Sequence, residues 1–247
     1  MPPLGLAASL GHGCPRSATS SGSVPADSKV TRQDDLLAWW QFNESSGTTA
    51  SDSSDSGLYP LTLTNMDGSS DWVAGKSAAF GNCLEFDGAD DYAVSADENF
   101  KSLMGSNFTV SFWFYQDAAA YAGLFTIGNV ANDGTPFMFL RRRGAANLSW
   151  YFYNGYRIVW TSGIDAGEWH HAAITHDGTT YRAYLDGSAN GTYTAGTTVQ
   201  NGERVFVGTS YSSNFMNGKI DDFRIYDVTL SAEEIGDVYG SGGGDFG

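Results

Sequence analysis

Along most of the chain, apolar residues recur at every second position in short segments separated by Gly, Asn, Asp and Ser. That is the period of a strand with one buried face, punctuated by turns. Such segments run over Leu36–Asn43, Cys83–Phe86, Tyr92–Ala96, Phe108–Gln116, Gly123–Ile127, Phe137–Arg143, Leu148–Tyr153, Trp169–His176, Thr180–Leu185, Arg204–Gly208 and Gly218–Tyr226. In the longest aromatic run, Phe108, Val110, Phe112 and Phe114 share one face, and Thr109, Ser111, Trp113 and Tyr115 share the other, which predicts a central strand. Asp177-Gly178 and Asp186-Gly187 bracket Thr180–Leu185 with residue pairs suited to positive φ, so the register there is predicted to be firm. The one helical pattern is Ser231–Tyr239, where Ser231 as N-cap and Glu234 three residues on form a capping box. The expected fold is all-β: a two-sheet antiparallel sandwich with one short C-terminal helix.

The ends break the pattern. Residues 1–34 are rich in Ser, Gly, Pro and Ala without apolar periodicity, and 241–247 are Gly-rich, so the division read here is a flexible leader, a domain over 35–240 and a Gly-rich tail. Flanks of this kind suit a module strung between others. No segment approaches the length of a membrane span, and Met1–Leu10 is too short and uncharged to read as a signal peptide. With 28 acidic against 13 basic residues, a net charge of -15 repels nucleic acid and anionic membranes at long range. Neutral glycans, cations and basic surfaces stay open as partners. Cys14 and Cys83 supply neither a disulfide framework nor a metal-binding pair, and Cys83, between alternating apolar positions, reads as a small buried group.

Four segments in order resemble the laminin-G-like jelly-roll family of concanavalin A-like domains: Leu37-Ala-Trp-Trp-Gln-Phe-Asn with the following turn to Asp52; Leu84-Glu-Phe-Asp-Gly-Ala-Asp-Asp-Tyr92; Trp169-His-His-Ala-Ala173 with Tyr184-Leu-Asp-Gly187; and Gly218-Lys-Ile-Asp-Asp-Phe-Arg-Ile-Tyr226 running on to Ile235. The resemblance implies a jelly roll, neighbouring first and last strands, ligand sites on the concave face or loop rim, often a structural calcium, and a secreted or cell-surface setting. It does not imply one function, since this fold serves binding modules and enzymes alike.

Calcium needs six to eight oxygen ligands gathered from separate loops. If the first and last strands are neighbours, as the resemblance implies, Asn43, Asp52, Asp87 and Asp221 come toward one edge as its candidate ligands. Asp-Gly and Asp-Asp pairs equally cap turns through backbone N–H groups. Carbohydrate binding needs flat apolar faces edged by polar groups. Tyr151, Tyr153, Tyr156 and Trp160 are expected outward, near Arg141 and Arg143 of the preceding strand, with Tyr211 and Asn214 on the rim; the competing reading is cross-strand packing. Arg141-Arg-Arg143 is the only basic run in the chain, able to pair with an acidic sugar or an acidic patch on a neighbouring subunit, or simply a solvated strand end. His170 and His171 alternate on a strand and cannot chelate one ion together, so they read as structural.

Enzyme patterns are not found: no Glu-x-Asp-x-x-Glu strand of sandwich glycosidases and no Gly-x-Ser-x-Gly elbow. The expected function is a noncatalytic carbohydrate-binding, lectin-like or adhesion module of a secreted or cell-surface protein, stabilised by calcium. The alternative is a structural subunit of an extracellular assembly, docking its leader onto further copies of itself.

Overall fold

The computed structural model describes residues 32–96, 100–128, 138–144, 147–152, 157–160, 163–194, 204–210 and 214–240. After a 3-10 turn at Gln33–Asp35, the strands are β1 Leu36–Trp40, β2 Thr49–Ala50, β3 Leu61–Thr64, β4 Trp72–Ala74, β5 Asn82–Asp87, β6 Tyr92–Ser95, β7 Asn107–Gln116, β8 Ala122–Gly128, β9 Met138–Arg142, β10 Leu148–Phe152, β11 Arg157–Trp160, β12 Trp169–Asp177, β13 Thr180–Leu185, β14 Ser188–Thr194, β15 Arg204–Val207 and β16 Asn217–Tyr226. Helix α1, Phe100–Met104, follows β6, and α2, Ala232–Gly240, follows β16.

The strands form two antiparallel sheets. One runs β14-β13-β12-β7-β16-β5-β4, with β1 also paired to β16; the other runs β11-β10-β9-β8-β15-β6-β3-β2. First and last strands are neighbours, as the resemblance implied: β1 takes Phe223–Tyr226 of β16, and β5 takes Asn217–Ile220. Where the sheets meet, Phe112 and Phe223 stack at 4.9 Å, and Phe125 packs edge-on against Phe112 at 5.3 Å and Trp150 at 5.5 Å. Every residue of the predicted inner face of β7 is buried in this core.

The outer face of the first sheet is covered too. Helix α2 opens on the predicted capping box: the Ser231 Oγ accepts from Glu234 N at 3.2 Å, and Ser231 N donates to Glu234 Oε2 at 2.8 Å. Its Ile235 and Val238 join Leu36, Trp39, Ala173, Tyr184, Tyr226 and Leu230 in a second apolar cluster, and Tyr239 stacks on Trp113 at 5.3 Å. The polar face of β7 is thus buried rather than wet.

The segment β14 escaped the sequence reading because nearly all its residues are exposed; a polar edge strand carries no alternation to detect. The short β2, β3, β4 and β11 were missed as well. The leader up to residue 31 and the tail 241–247 lie outside the described residues.

Candidate functional site

The second sheet leaves an open groove on its outer face. In β10, Leu148, Trp150 and Phe152 point into the core, so the strand's two-residue period turns Ser149 and Tyr151 outward. The register sets Ser149 between Val159 of β11 and Arg141 of β9, and Tyr151 beside Phe139. Arg143, Asn147, Ser149, Tyr151 and Val159 line a hollow of about 300 Å³.

The Arg run divides by face. Arg142 points inward and is 1% exposed. Its Nη1 donates to Gln116 Oε1 at 2.9 Å, its Nε to Gly144 O at 3.3 Å, and its Nη2 to Ile164 O. Arg141 and Arg143 project outward and meet at Tyr151. The Arg143 Nη1 donates to Tyr151 Oη at 3.2 Å, and the Arg141 guanidinium carbon sits 4.6 Å from the ring centroid of Tyr151, 5.0 Å from Tyr121 and 5.3 Å from Phe139, within cation–π range. Burial of Tyr151 opposes ionisation, but hydrogen bonds from Arg141 and Arg143 outweigh it and hold the phenol below its ordinary 10. The bond to Tyr151 raises Arg143 in turn.

Tyr151 is therefore no bare platform. One side stacks on Phe139 at 4.6 Å with 5° between planes, Arg141 lies over the ring, and the residue is only 9% exposed. What the groove presents is guanidinium N–H, the Asn147 amide and two hydroxyls, beside the exposed edge of Val159.

The other candidate residues fare differently. Trp160 was expected outward; it is 1% exposed, packed edge-on against Trp150 at 6.1 Å with its Nε1 donating to Asn190 O. The register places Trp160 opposite Leu148, on the core side of the sheet. Asn214 closes its own loop: its Nδ2 donates to Ser210 O, and its backbone carbonyl accepts from Gly123 N and Ser210 N. Tyr153, Tyr156 and Tyr211 lie outside the described residues. Sequence reasoning missed Ser149, Val159, Phe139 and Tyr121; the first and third follow from counting two residues back from Tyr151 and Arg141.

The four candidate calcium ligands do not converge. Asp52 holds three backbone N–H groups, of Trp39, Ser54 and Tyr59, at 2.9 to 3.1 Å. Asn43 Oδ1 accepts from Asn82 N at 3.0 Å. Asp87 pairs with Asn217, four residues from Asp221, roughly 13 Å along the strand. Asp221 is fully buried, and burial together with the adjacent Asp222 pushes its carboxyl up to about 8. Among the described residues, the carboxylates that do approach one another are Asp87, Asp90 and Asp91, within 4.8 Å. They close their own turn, with Asp91 Oδ2 accepting from Asp87 N and Asp87 Oδ1 from Ala89 N. Capping accounts for Asp52 and Asp87, because a turn fold needs acceptors at those backbone sites.

A second hollow, of about 380 Å³, lies where α2 meets β12 and β13. Its charges are already matched: Arg182 binds Asp177 at 2.6 Å, and Glu234 serves the helix cap and Arg32.

Residues 87–236 match a family model described as the concanavalin A-like lectin/glucanases superfamily. The chain belongs to that superfamily. Solved structures share this concanavalin A-like fold at low identity. Domain 4 of AbnA, an extracellular arabinanase of Geobacillus stearothermophilus in complex with arabinotriose, aligns over 83% of this chain and 98% of its own at 18% identity, with a TM-score of 0.63. The botulinum neurotoxin type G receptor binding domain aligns over 83% and 51% at 14%, TM-score 0.61. A Trypanosoma rangeli sialidase aligns over 91% and 36% at 13%, TM-score 0.66, so the chain spans about half of the toxin domain and a third of the sialidase. Among curated proteins none matches.

Proposed function

We propose that this domain is a noncatalytic carbohydrate-binding module of a secreted or cell-surface protein, and that its ligand lies in the groove on the outer face of β9, β10 and β11. The observation that carries the reading is the hollow itself: it is open, and five side chains from β10, β11 and the β9–β10 connection converge on it, with donors and acceptors at sugar-hydroxyl scale beside one apolar edge. Among the described residues its lining includes no carboxylate, which favours binding over the paired-carboxylate chemistry of glycosidases. Arabinotriose in the complex of a structural neighbour that this chain matches over nearly its full length supports a glycan as ligand. The superfamily's lectins support it as well.

A glycan array probed with the purified chain tests the proposal. Wild type is expected to be retained on one class of glycan, and an Arg143→Ala, Asn147→Ala double variant of unchanged melting temperature to lose that retention. Equal retention of both proteins places the site elsewhere, and no retention on any glycan overturns the reading.

A further inference from the structure

Resting on the carbohydrate-binding reading, we infer that the hollow between α2, β12 and β13 is a second saccharide site. It takes one neutral sugar unit on the opposite side of the molecule from the groove, so that a single chain bridges two glycans.

The two-residue period of the strands settles which way this hollow opens. Ala172 and Ile174 of β12, with Ala183 and Leu185 of β13, lie in the core between the sheets. Thr175, Asp177, Arg182 and Tyr184 therefore face outward, where they meet the first turn of α2. The volume of about 380 Å³ falls within the range of small-molecule sites, about 300–1,000 Å³.

Two of its lining hydroxyls are left over by the fold. Thr175 is 0% exposed, and its Oγ1 has no hydrogen-bond partner among the described residues. Tyr184 is 3% exposed, and its hydroxyl makes no hydrogen bond among the described residues either. Buried hydroxyls are ordinarily paired, so two unpaired ones in one hollow call for a polar partner from outside the chain.

The charges state what kind of partner. Asp177 Oδ2 accepts from Arg182 Nη1 at 2.6 Å, and its Oδ1 accepts from Thr179 N and Thr180 N. Glu234 accepts from Ser231 N and approaches Arg32 at 3.5 Å. The positive end of α2 is already met by Glu233 and Glu234 in its first turn. A net charge of -15 repels an anion, and each lining carboxylate is engaged, so neither kind of ion is called for. The Arg182–Asp177 pair keeps 40% and 32% of its side chains exposed. It presents N–H donors and carboxylate lone pairs side by side, the complement of adjacent sugar hydroxyls, each of which both donates and accepts.

The groove lies outside the second sheet and this hollow outside the first, with two sheets packed about 10 Å apart between them. A short oligosaccharide that fills one does not reach the other. Two sites placed back to back join separate glycans and add avidity without new contacts.

One sugar unit held by hydrogen bonds is bound too weakly to be retained on an array by itself, so the test reads it in solution. Saturation-transfer NMR with neutral pentoses, hexoses and their disaccharides is run on the full chain carrying Arg143→Ala and Asn147→Ala, which leaves only the hollow. Transfer to a neutral sugar is expected to persist. Adding Tyr184→Phe, which removes one hydroxyl and keeps the packing, should weaken it about three- to tenfold, and adding Arg182→Ala as well should abolish it at unchanged melting temperature. Beads bearing the glycan retained on the array and beads bearing that neutral sugar should be joined by wild type and by neither single-site variant. Transfer that vanishes with the groove substitutions, or that ignores those in the hollow, would overturn this inference and leave the groove proposal standing. Transfer from the hollow with no glycan retained on the array would overturn the groove and keep the second site; no binding in either assay would remove both.

Discussion

Arg224 Nε donates to Asp222 Oδ1 at 2.9 Å, with both side chains almost wholly withdrawn from water. The pair depends on a bulge in β16, where pairing with β7 shifts between Asp221 and Arg224 and Asp222 takes a φ of 50°. The bulge keeps Ile220, Phe223 and Ile225 in the core while the polar residues gather on the opposite face. Asp222 Oδ1 also accepts from Trp39 Nε1 at 2.6 Å, tying the first strand to the last. Replacing Asp222 with Ala strands a buried guanidinium, and the expected loss is about 3–5 kcal/mol in urea unfolding. Asp222→Asn keeps an acceptor and tolerates left-handed backbone, so it should lose clearly less. Equal losses would mean that the charge alone, and not the retained acceptor or the backbone tolerance, is what stabilises the junction.

Arg142 and Arg143 are adjacent in sequence and opposite in role. Arg142→Leu leaves the Gln116 amide oxygen and the Ile164 carbonyl without their buried donor, and is expected to cost about 3 kcal/mol. Arg143→Gln alters an exposed side chain and should leave the melting temperature unchanged while weakening ligand binding. A fall in melting temperature for Arg143→Gln would show a structural role that its exposure argues against.

His171 gives the fold an acid-side pH dependence. Its burial first, then the charge of Arg224, push its pKa from 6.5 down to about 3. Between these values the unfolded chain binds a proton that the folded chain refuses, so this residue makes stability rise with pH from about 3 to 6.5 and contributes no slope above that. The slope approaches about 1.4 kcal/mol per pH unit within the window. Urea unfolding at pH 4.5 and 6.5 measures it. His171→Phe should flatten the difference, and an unchanged slope in that variant would assign the pH dependence to other groups.

Binding should not require calcium. The groove is lined by Arg143, Asn147, Ser149, Tyr151 and Val159, and hard cations need carboxylate and carbonyl oxygens. Chelator treatment is expected to leave the dissociation constant for any glycan hit unchanged within about twofold; a tenfold weakening would place a cation at the ligand.

Much of the sandwich was legible because alternation reports a one-sided strand directly: β13 begins and ends where its pattern did, and β7, β12 and β16 differ only by a residue. The Ser231 cap was legible for the same reason, being a local hydrogen-bond pattern of fixed spacing. Trp160 shows where this stops. Its pattern of alternate apolar residues did not say which parity faces inward, and one residue of register turns every side chain of a strand over. Arg141 and Arg143 were placed with Tyr151 by the same counting, yet the guanidinium covering the ring follows from side-chain packing that no spacing records.

By itself the sequence determined that the chain forms short antiparallel strands with one face buried, that it ends in a capped helix, and that its single basic run stands in an acidic surround. Those properties are local or summed, and period, turn chemistry and charge express them without reference to distant residues. The tertiary structure decided which outer face stays open. On the first sheet α2 folds back to bury Trp113 and His171, while on the second the register of β9, β10 and β11 brings Arg143, Ser149, Tyr151 and Val159 to one exposed hollow. Which face is covered depends on contacts between residues far apart in the chain, and these exist only once the sheets have packed.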